Sequence, residues 1–243
     1  MNFSIALPSR NQPKALKRCI DSIFDLAKNP DKIEIFLSID DDDCNLYSEI
    51  IQNYINKKNI KLLIRPQNPH LVNYYFNEPL KQSKGKIITN SSDDIEIITK
   101  NWDEIILEQV EQYFKSFKDK IMYILYNDDC GCHNTKKYMC WPFISKETFD
   151  TLGCLFPKEL GRSSADIRLY EIFNELKNKK YDRFLNIGDS YKVIKHQEPL
   201  PNLEYRNLYK IRHLYTGYSQ HLSTSIFNNY VNTLSNYITT KIN

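Results

Sequence analysis

The sequence predicts an α/β protein: a mostly parallel, Rossmann-like central sheet flanked by helices, with a helical tail at the C-terminus. Three observations carry that prediction. Strand-like apolar runs and helix-spaced apolar residues alternate four times within the first 117 residues, the pattern of successive βαβ units. The run from Ile33 to Ile39 is almost unbrokenly apolar, as a strand covered on both faces requires. At 243 residues and 41% hydrophobic, the chain can bury the core of one large domain and carry an appendage.

Taken in order, Phe3 to Leu7 is a short β-prone run closed by Pro8. Pro13 suits a helix N-terminus, and Leu16, Cys19, Ile20, Ile23, Phe24 and Ala27 then recur on one helical face. The second strand stops abruptly at Asp40-Asp-Asp-Asp43. Tyr47, Ile50, Ile51, Tyr54 and Ile55 give the next helix its apolar face, and Ile60 to Ile64 makes a third strand ended by Arg65-Pro66. Leu71 to Gln82 reads as partly helical, limited by Pro79. A fourth strand covers Lys86 to Asn90. Asn101, with Glu104 in capping-box position, opens a helix facing inward through Trp102, Ile105, Ile106, Val110, Tyr113 and Phe114.

Beyond residue 117 the pattern loosens. Ile121 to Tyr126 is a strand, Asn127 to Lys136 a polar loop, and Tyr138 to Ile144 an extended run. A short helix from Lys146 to Leu152 is closed by Gly153; another runs from Ser164 to Lys177, and Tyr191 to Lys195 is extended. After Pro201 tyrosines become frequent and acidic residues nearly vanish, while Phe227, Tyr230, Val231, Leu234, Tyr237 and Ile238 keep helical spacing. The expectation is a domain over residues 1–200 and a Tyr-rich helical extension over 201–243. The tail's apolar face would meet either the domain or, in a homodimer, a second copy.

Composition narrows the function. A net charge of +3, from 33 basic and 30 acidic residues, gives no concentrated basic stripe for nucleic acid. No apolar run approaches the ~18 residues of a membrane span, and the N-terminus reads as a first strand, not a signal peptide. A cytoplasmic setting with reduced thiols follows as the expectation for the six cysteines. Cys130, Cys132, His133 and Cys140 could supply zinc ligands, but C-x-C-H departs from the usual C-x₂₋₄-C spacing, so a thiol-bearing loop is favoured.

The stretch Gly85-Lys-Ile-Ile-Thr-Asn-Ser-Ser-Asp-Asp94 carries the chemistry: a glycine turn, a short apolar strand, then two adjacent carboxylates. Ligands of open α/β sheets bind beyond the carboxyl ends of the strands, and hard divalent cations take carboxylate oxygens together with substrate phosphates. Asp93 and Asp94 therefore suit a metal, Mn²⁺ or Mg²⁺, that grips a nucleotide diphosphate; the plain alternative is a solvated turn.

In this order the features resemble the GT-A fold glycosyltransferases, particularly glycosyltransferase family 2, over roughly residues 3 to 200. The likeness lies in Ser4 to Asn11, in Glu34 to Asp41 and in Gly85 to Asp94, with a softer one in Trp141 to Lys146, Phe149, Leu152-Gly153 and Asp166 to Glu171. It implies transfer of a sugar from a nucleotide-diphosphate donor, UDP favoured, to a hydroxyl of a saccharide or other acceptor, with inversion. Pro8, Ser9, Arg10, Asn11, Ser92 and Asp93 would bind the nucleotide sugar, and Asp40 or Asp41 would receive the base. Asp93 and Asp94, joined by His196, would hold the metal, while Asp166 would act as general base. Arg65 and Asn73 enter the donor cleft on loop position alone.

Each assignment has a plain counterpart. Asp166 follows Ser163 by three and would complete a capping box; Asp40 to Asp43 would merely solvate a strand end. Two departures stand out: Ser91 replaces the leading carboxylate of the family's metal motif, and Arg10 stands where an aromatic often stacks on the base. The Ser91 departure favours a GT-A-like module that has lost catalysis. A sugar nucleotidyltransferase is disfavoured because Pro8-Ser-Arg-Asn11 lacks a glycine-rich phosphate loop, and no Gly-x-Ser-x-Gly elbow occurs. Acceptor loops are expected at Asn127 to Lys136 and Pro157 to Ser164.

Overall fold

The computed structural model describes residues 1–55, 59–126, 139, 141–160, 165–187, 193–196 and 222–242. Seven strands form the main sheet. Four of them, β1 (Phe3–Ser9), β2 (Ile33–Asp40), β3 (Ile60–Arg65) and β4 (Ile87–Asn90), run parallel in the order β3-β2-β1-β4. All eight residues of β2 are buried, as its continuous apolar sequence demands of an interior parallel strand. The sheet continues through β7 (Phe143–Ser145), β6 (Tyr123–Leu125) and β8 (Phe184–Asn186). Here β7 lies antiparallel to both β4 and β6. A second, two-stranded sheet pairs β5 (Ile95–Ile97) with β9 (Ile194–His196).

Helix α1 (Pro13–Asp25) starts at the expected proline and buries Leu16, Cys19, Ile20, Ile23 and Phe24. After it come α2 (Ser48–Tyr54), a π-helical turn (Val72–Asn77) running into α3 (Glu78–Leu80), and α4 (Trp102–Ser116). The helices α5 (Lys146–Leu152), α6 (Ala165–Asn178) and α7 (Thr224–Ile242) follow among the described residues. The expected capping box at α4 does not form. Asn101 is left-handed (φ 59°) without a side-chain cap, and its amide donates to the Leu26 carbonyl at 2.6 Å. Asp103 accepts instead from the amides of Lys28 and Asn29, and Glu104 pairs with Lys28. The carboxylates of that turn thus fasten the exit of α1.

Buried polar groups pin the strands. Glu34, 1% exposed, accepts from Ser4 Oγ, the Lys84 amide and Lys61 Nζ at 2.6, 2.6 and 2.8 Å, which ties β2 to β1, β3 and the turn before β4. The Gly85 amide donates to Ser4 Oγ at 2.8 Å. A Cβ on Gly85 would sit 2.6 Å from the Phe3 carbonyl carbon and the Ser4 nitrogen, so the glycine is needed for close backbone approach. Gly85→Ala is expected to destabilise by about 2–3 kcal/mol through overpacking; unchanged urea unfolding would contradict this.

On the far side, Asp119 and Arg183 form a buried two-pronged pair, Nε to Oδ1 3.1 Å and Nη2 to Oδ2 2.9 Å. The tail's apolar face is occupied within the chain: Tyr230, Val231, Leu234 and Ile238 of α7 are buried. Tyr230 donates to Glu159 at 2.7 Å and Tyr237 donates to Glu147. Packing on the rest of the chain, one of the two expected uses of that face, is thus present. Among the described residues no helix is long and apolar enough to cross a membrane.

Candidate functional site

Parallel strands β1, β2 and β4 end on one side, and their last residues carry the candidate side chains. Ser9 is the final residue of β1, Asp40 that of β2, and Asp93 and Asp94 follow β4 in the turn to β5. The Ser9 hydroxyl donates to Asp93 Oδ2 at 2.6 Å, joining the first loop to the acidic pair. Burial pushes the Asp93 carboxyl up to about 7, with the Ser9 bond opposing the shift and the charge of neighbouring Asp94 adding to it. Ser92 donates to Asp94.

The first loop is shaped by the acidic run after β2. Asn11 takes a left-handed conformation (φ 54°), which asparagine tolerates better than most residues, and its amide donates to Asp43 Oδ2 at 2.6 Å. Arg10 spans Asp40 at 2.6 Å and forks onto both oxygens of Asp42 at 2.8 Å. That bond holds Asp42 below the usual carboxylate range and raises the guanidinium. Arg10 is therefore committed to the strand end in this structure, not turned toward a base or phosphate. Asp40, 3% exposed, also accepts from the Tyr75 hydroxyl, so both of its oxygens are occupied. Asp41 is exposed, with its amide bonded to the Arg65 carbonyl.

Arg65 stands opposite Asp40 in the β2–β3 register. Its guanidinium lies 3.9 Å from the Tyr74 ring centre and donates to Ser38 Oγ at 3.3 Å and the Tyr74 carbonyl at 2.6 Å. Asn73 donates to Glu78 at 3.2 Å, and Arg65 lies 3.6 Å from the same carboxylate. Arg65 thus sits beside Asp40 in the sheet register, and Asn73 is linked to it through Glu78. Asp166 lies in the first turn of α6, half-buried, with Oδ1 accepting the Ile167 amide at 2.9 Å. Ser163, the other half of its capping box, lies outside the described residues. So do Cys130, Cys132, His133, Cys140, the loop Asn127 to Lys136 and the end of Pro157 to Ser164.

Two adjacent hard-oxygen donors, one with its ionised form disfavoured by burial, match what a divalent cation needs. Asp93 has no cationic partner among the described residues, and Asp94 raises the local negative charge. In the β5–β9 register His196 pairs with Ile95, the residue after Asp94. Strand pairing therefore brings its backbone beside the acidic turn. No three metal-ligating side chains converge among the described residues. The Ser91 departure has a local reason: Ser91 is buried, its amide donates to the Ala6 carbonyl, and its hydroxyl lies 3.6 Å from the Cys19 thiol. A carboxylate there would be buried against α1.

Several contributors to this geometry escape a reading of the sequence. Tyr47 reads as an apolar helix position, yet its hydroxyl meets Ser9 and the Gln12 amide. Tyr75 likewise holds the strand end through Asp40, and no short motif marks it.

The glycosyl transferase family 2 model matches residues 4–129, just over half of the chain and the part that bears this first-loop and acidic-turn geometry. No curated protein matches. Solved structures share the fold. TarS residues 1–349 of S. aureus, in complex with UDP, superpose with a TM-score of 0.61 at 13% identity, covering 98% of this chain and 72% of that one. The same protein with UDP-GlcNAc gives 0.59 at 14% identity, with 98% and 72% covered. The mannosyltransferase PcManGT of Pyrobaculum calidifontis, with GDP-Man and Mn²⁺, gives 0.59 at 11% identity, covering 97% and 69%.

Proposed function

Because this chain belongs to glycosyl transferase family 2 and is a nucleotide-sugar glycosyltransferase, we propose that it uses a UDP-sugar and a divalent cation to glycosylate a hydroxyl acceptor with inversion. The observation that carries this reading is the Ser9–Asp93 bond at 2.6 Å. It joins the nucleotide loop to the acidic turn where the parallel strands end, which is where α/β sheets bind ligands. The choice of uracil draws on the UDP and UDP-GlcNAc complexes of TarS.

Asp93 and Asp94 are the ligands we assign to Mn²⁺ or Mg²⁺, with His196 as a third. When bound, the cation supplies Lewis-acid neutralisation of the diphosphate leaving group. The chain's own residues do the rest. Pro8, Ser9, Asn11 and Ser92 shape the floor on which the diphosphate rests. Asp41 takes the base, because it is exposed whereas Asp40 is buried with each oxygen already accepting from Arg10 or Tyr75. Arg10 and Asp40 then serve to hold the loop, and Arg65 and Asn73 wall the rim. Asp166 accepts the proton of the attacking hydroxyl; a carboxylate does this from hydrogen-bonding distance of that oxygen. The domain over 1–200 houses this chemistry, with 201–243 as an accessory extension.

The buried setting of Ser91 favours the active enzyme over a binding-only module, since the side chain faces Cys19 and its replacement of a carboxylate removes no oxygen from the Asp93–Asp94 turn. Thermal melting with UDP and Mn²⁺ tests the reading. Ligand at 100 times its Kd is expected to stabilise the fold by about 2.7 kcal/mol. No shift with UDP plus Mn²⁺, across a panel of nucleotide sugars as well, would overturn it.

A further inference from the structure

Tyr47 is fully buried, yet its hydroxyl does not face apolar core. It lies 2.9 Å from Ser9 Oγ and accepts the Gln12 amide at 3.1 Å. Ser9 in turn donates to Asp93 Oδ2 at 2.6 Å. With Asp93 ionised, the form a cation binds, proton counting fixes the direction of this chain. A serine hydroxyl has one proton, and here it is committed to Asp93. Tyr47 must therefore donate to Ser9, and its own oxygen takes the Gln12 N–H. Burial raises the Tyr47 hydroxyl well above its ordinary range, so it stays a donor at any working pH. Three donors in series aim at one carboxylate oxygen, and donors aligned this way polarise one another.

We propose that Tyr47 is a positioning residue that, acting through Ser9, fixes the Asp93 carboxylate in the orientation that receives the divalent cation. This rests on the cation assignment of Asp93 and Asp94 above. The logic is that of any metal site whose ligands are oriented by hydrogen-bonding partners one layer out. The location adds a coupling: the tyrosine belongs to the 3₁₀ turn Cys44–Tyr47 that follows the Asp40–Asp43 run. The turn that anchors the nucleotide loop through Asp43 therefore also aligns the cation ligand.

Mn²⁺ binding to metal-free protein, followed by the paramagnetic resonance of unbound Mn²⁺, tests this without any turnover. The comparison takes wild type, Tyr47→Phe, Ser9→Ala and the double variant, each checked for its fold by circular dichroism. Tyr47→Phe is expected to weaken Mn²⁺ binding about tenfold, the lower end for such outer partners, and Ser9→Ala at least as much. The double variant should bind no more weakly than Ser9→Ala, because the tyrosine acts only through the serine. Unchanged affinity in Tyr47→Phe, or a further loss when it is added to Ser9→Ala, overturns the proposal while leaving the cation assignment intact. Wild type that binds no Mn²⁺ overturns both. Should Tyr47→Phe fail to fold, Ser9→Thr carries the test: its hydroxyl should restore binding lost in Ser9→Ala, and a threonine no better than alanine overturns the relay.

Discussion

Asp93→Asn is expected to make the metal-free protein more stable above pH 7 while lowering sugar transfer at least 100-fold. The two effects have one cause. Burial and the neighbouring charge of Asp94 raise the Asp93 carboxyl to about 7 in the folded state. The folded chain thus keeps a proton that the unfolded chain has released, and stability falls as pH climbs from the ordinary carboxylate range toward 7, then levels off. A sealed site with that shift would lose about 4 kcal/mol, at roughly 1.4 kcal/mol per unit. Asp93 keeps partial contact with water, so a gain on the order of 1–2 kcal/mol from the neutral amide is expected. For a chain of this size that is about 2–8 °C in Tm. The amide oxygen still accepts from Ser9, so the loop stays tied, but the charge for a cation is gone. The loss of transfer follows the cost of removing one electrostatic stabiliser of a transition state, about 10²–10³. Melting curves at pH 5 and pH 8, with an assay of UDP release, check both arms. A variant less stable than wild type at pH 8, or one with unaltered transfer, contradicts this account of Asp93.

Asp166→Asn is expected to lower kcat by about 10²–10⁴, the range of general-base contributions, with UDP affinity and Tm little changed. The amide can still accept from the Ile167 N–H, the bond Asp166 makes at the start of α6, so the helix start survives while proton acceptance is lost. Steady-state transfer to the acceptor, beside a UDP titration, separates the two. Full turnover in Asp166→Asn would mean that another group takes the proton. A parallel loss of UDP affinity would place Asp166 in donor binding.

How far the sequence could be read depends on whether the information is local. The alternation to residue 117, the buried run of β2 and the proline start of α1 are local patterns, and each has its structural counterpart. The antiparallel insertion of β7 between β4 and β6 is not local. It depends on how a distant hairpin-like segment meets the sheet, and a three-residue strand carries too little periodicity to announce it. The strand Ile95–Ile97 escapes notice for the same reason, although its pairing brings His196 to the acidic turn. At the site, Ser9, Asp93 and Asp94 follow from strand ends. The division of labour among Asp40 to Asp43 does not, because it is set by Arg10 and Asn11 reaching across from another strand. Asn101 shows the opposite failure: a sequence signature for a cap is present, but tertiary contacts at the end of α1 take the carboxylates of Asp103 and Glu104.

Whether Asp93 and Asp94 hold a divalent cation against a pyrophosphate is decided by a crystal structure of the protein grown with Mn²⁺ and UDP. The anomalous signal of manganese should fall between these carboxylates and the two phosphates, with Ser9 still bonded to Asp93. Manganese or UDP found elsewhere, with both carboxylates turned from the nucleotide, would contradict the cation assignment.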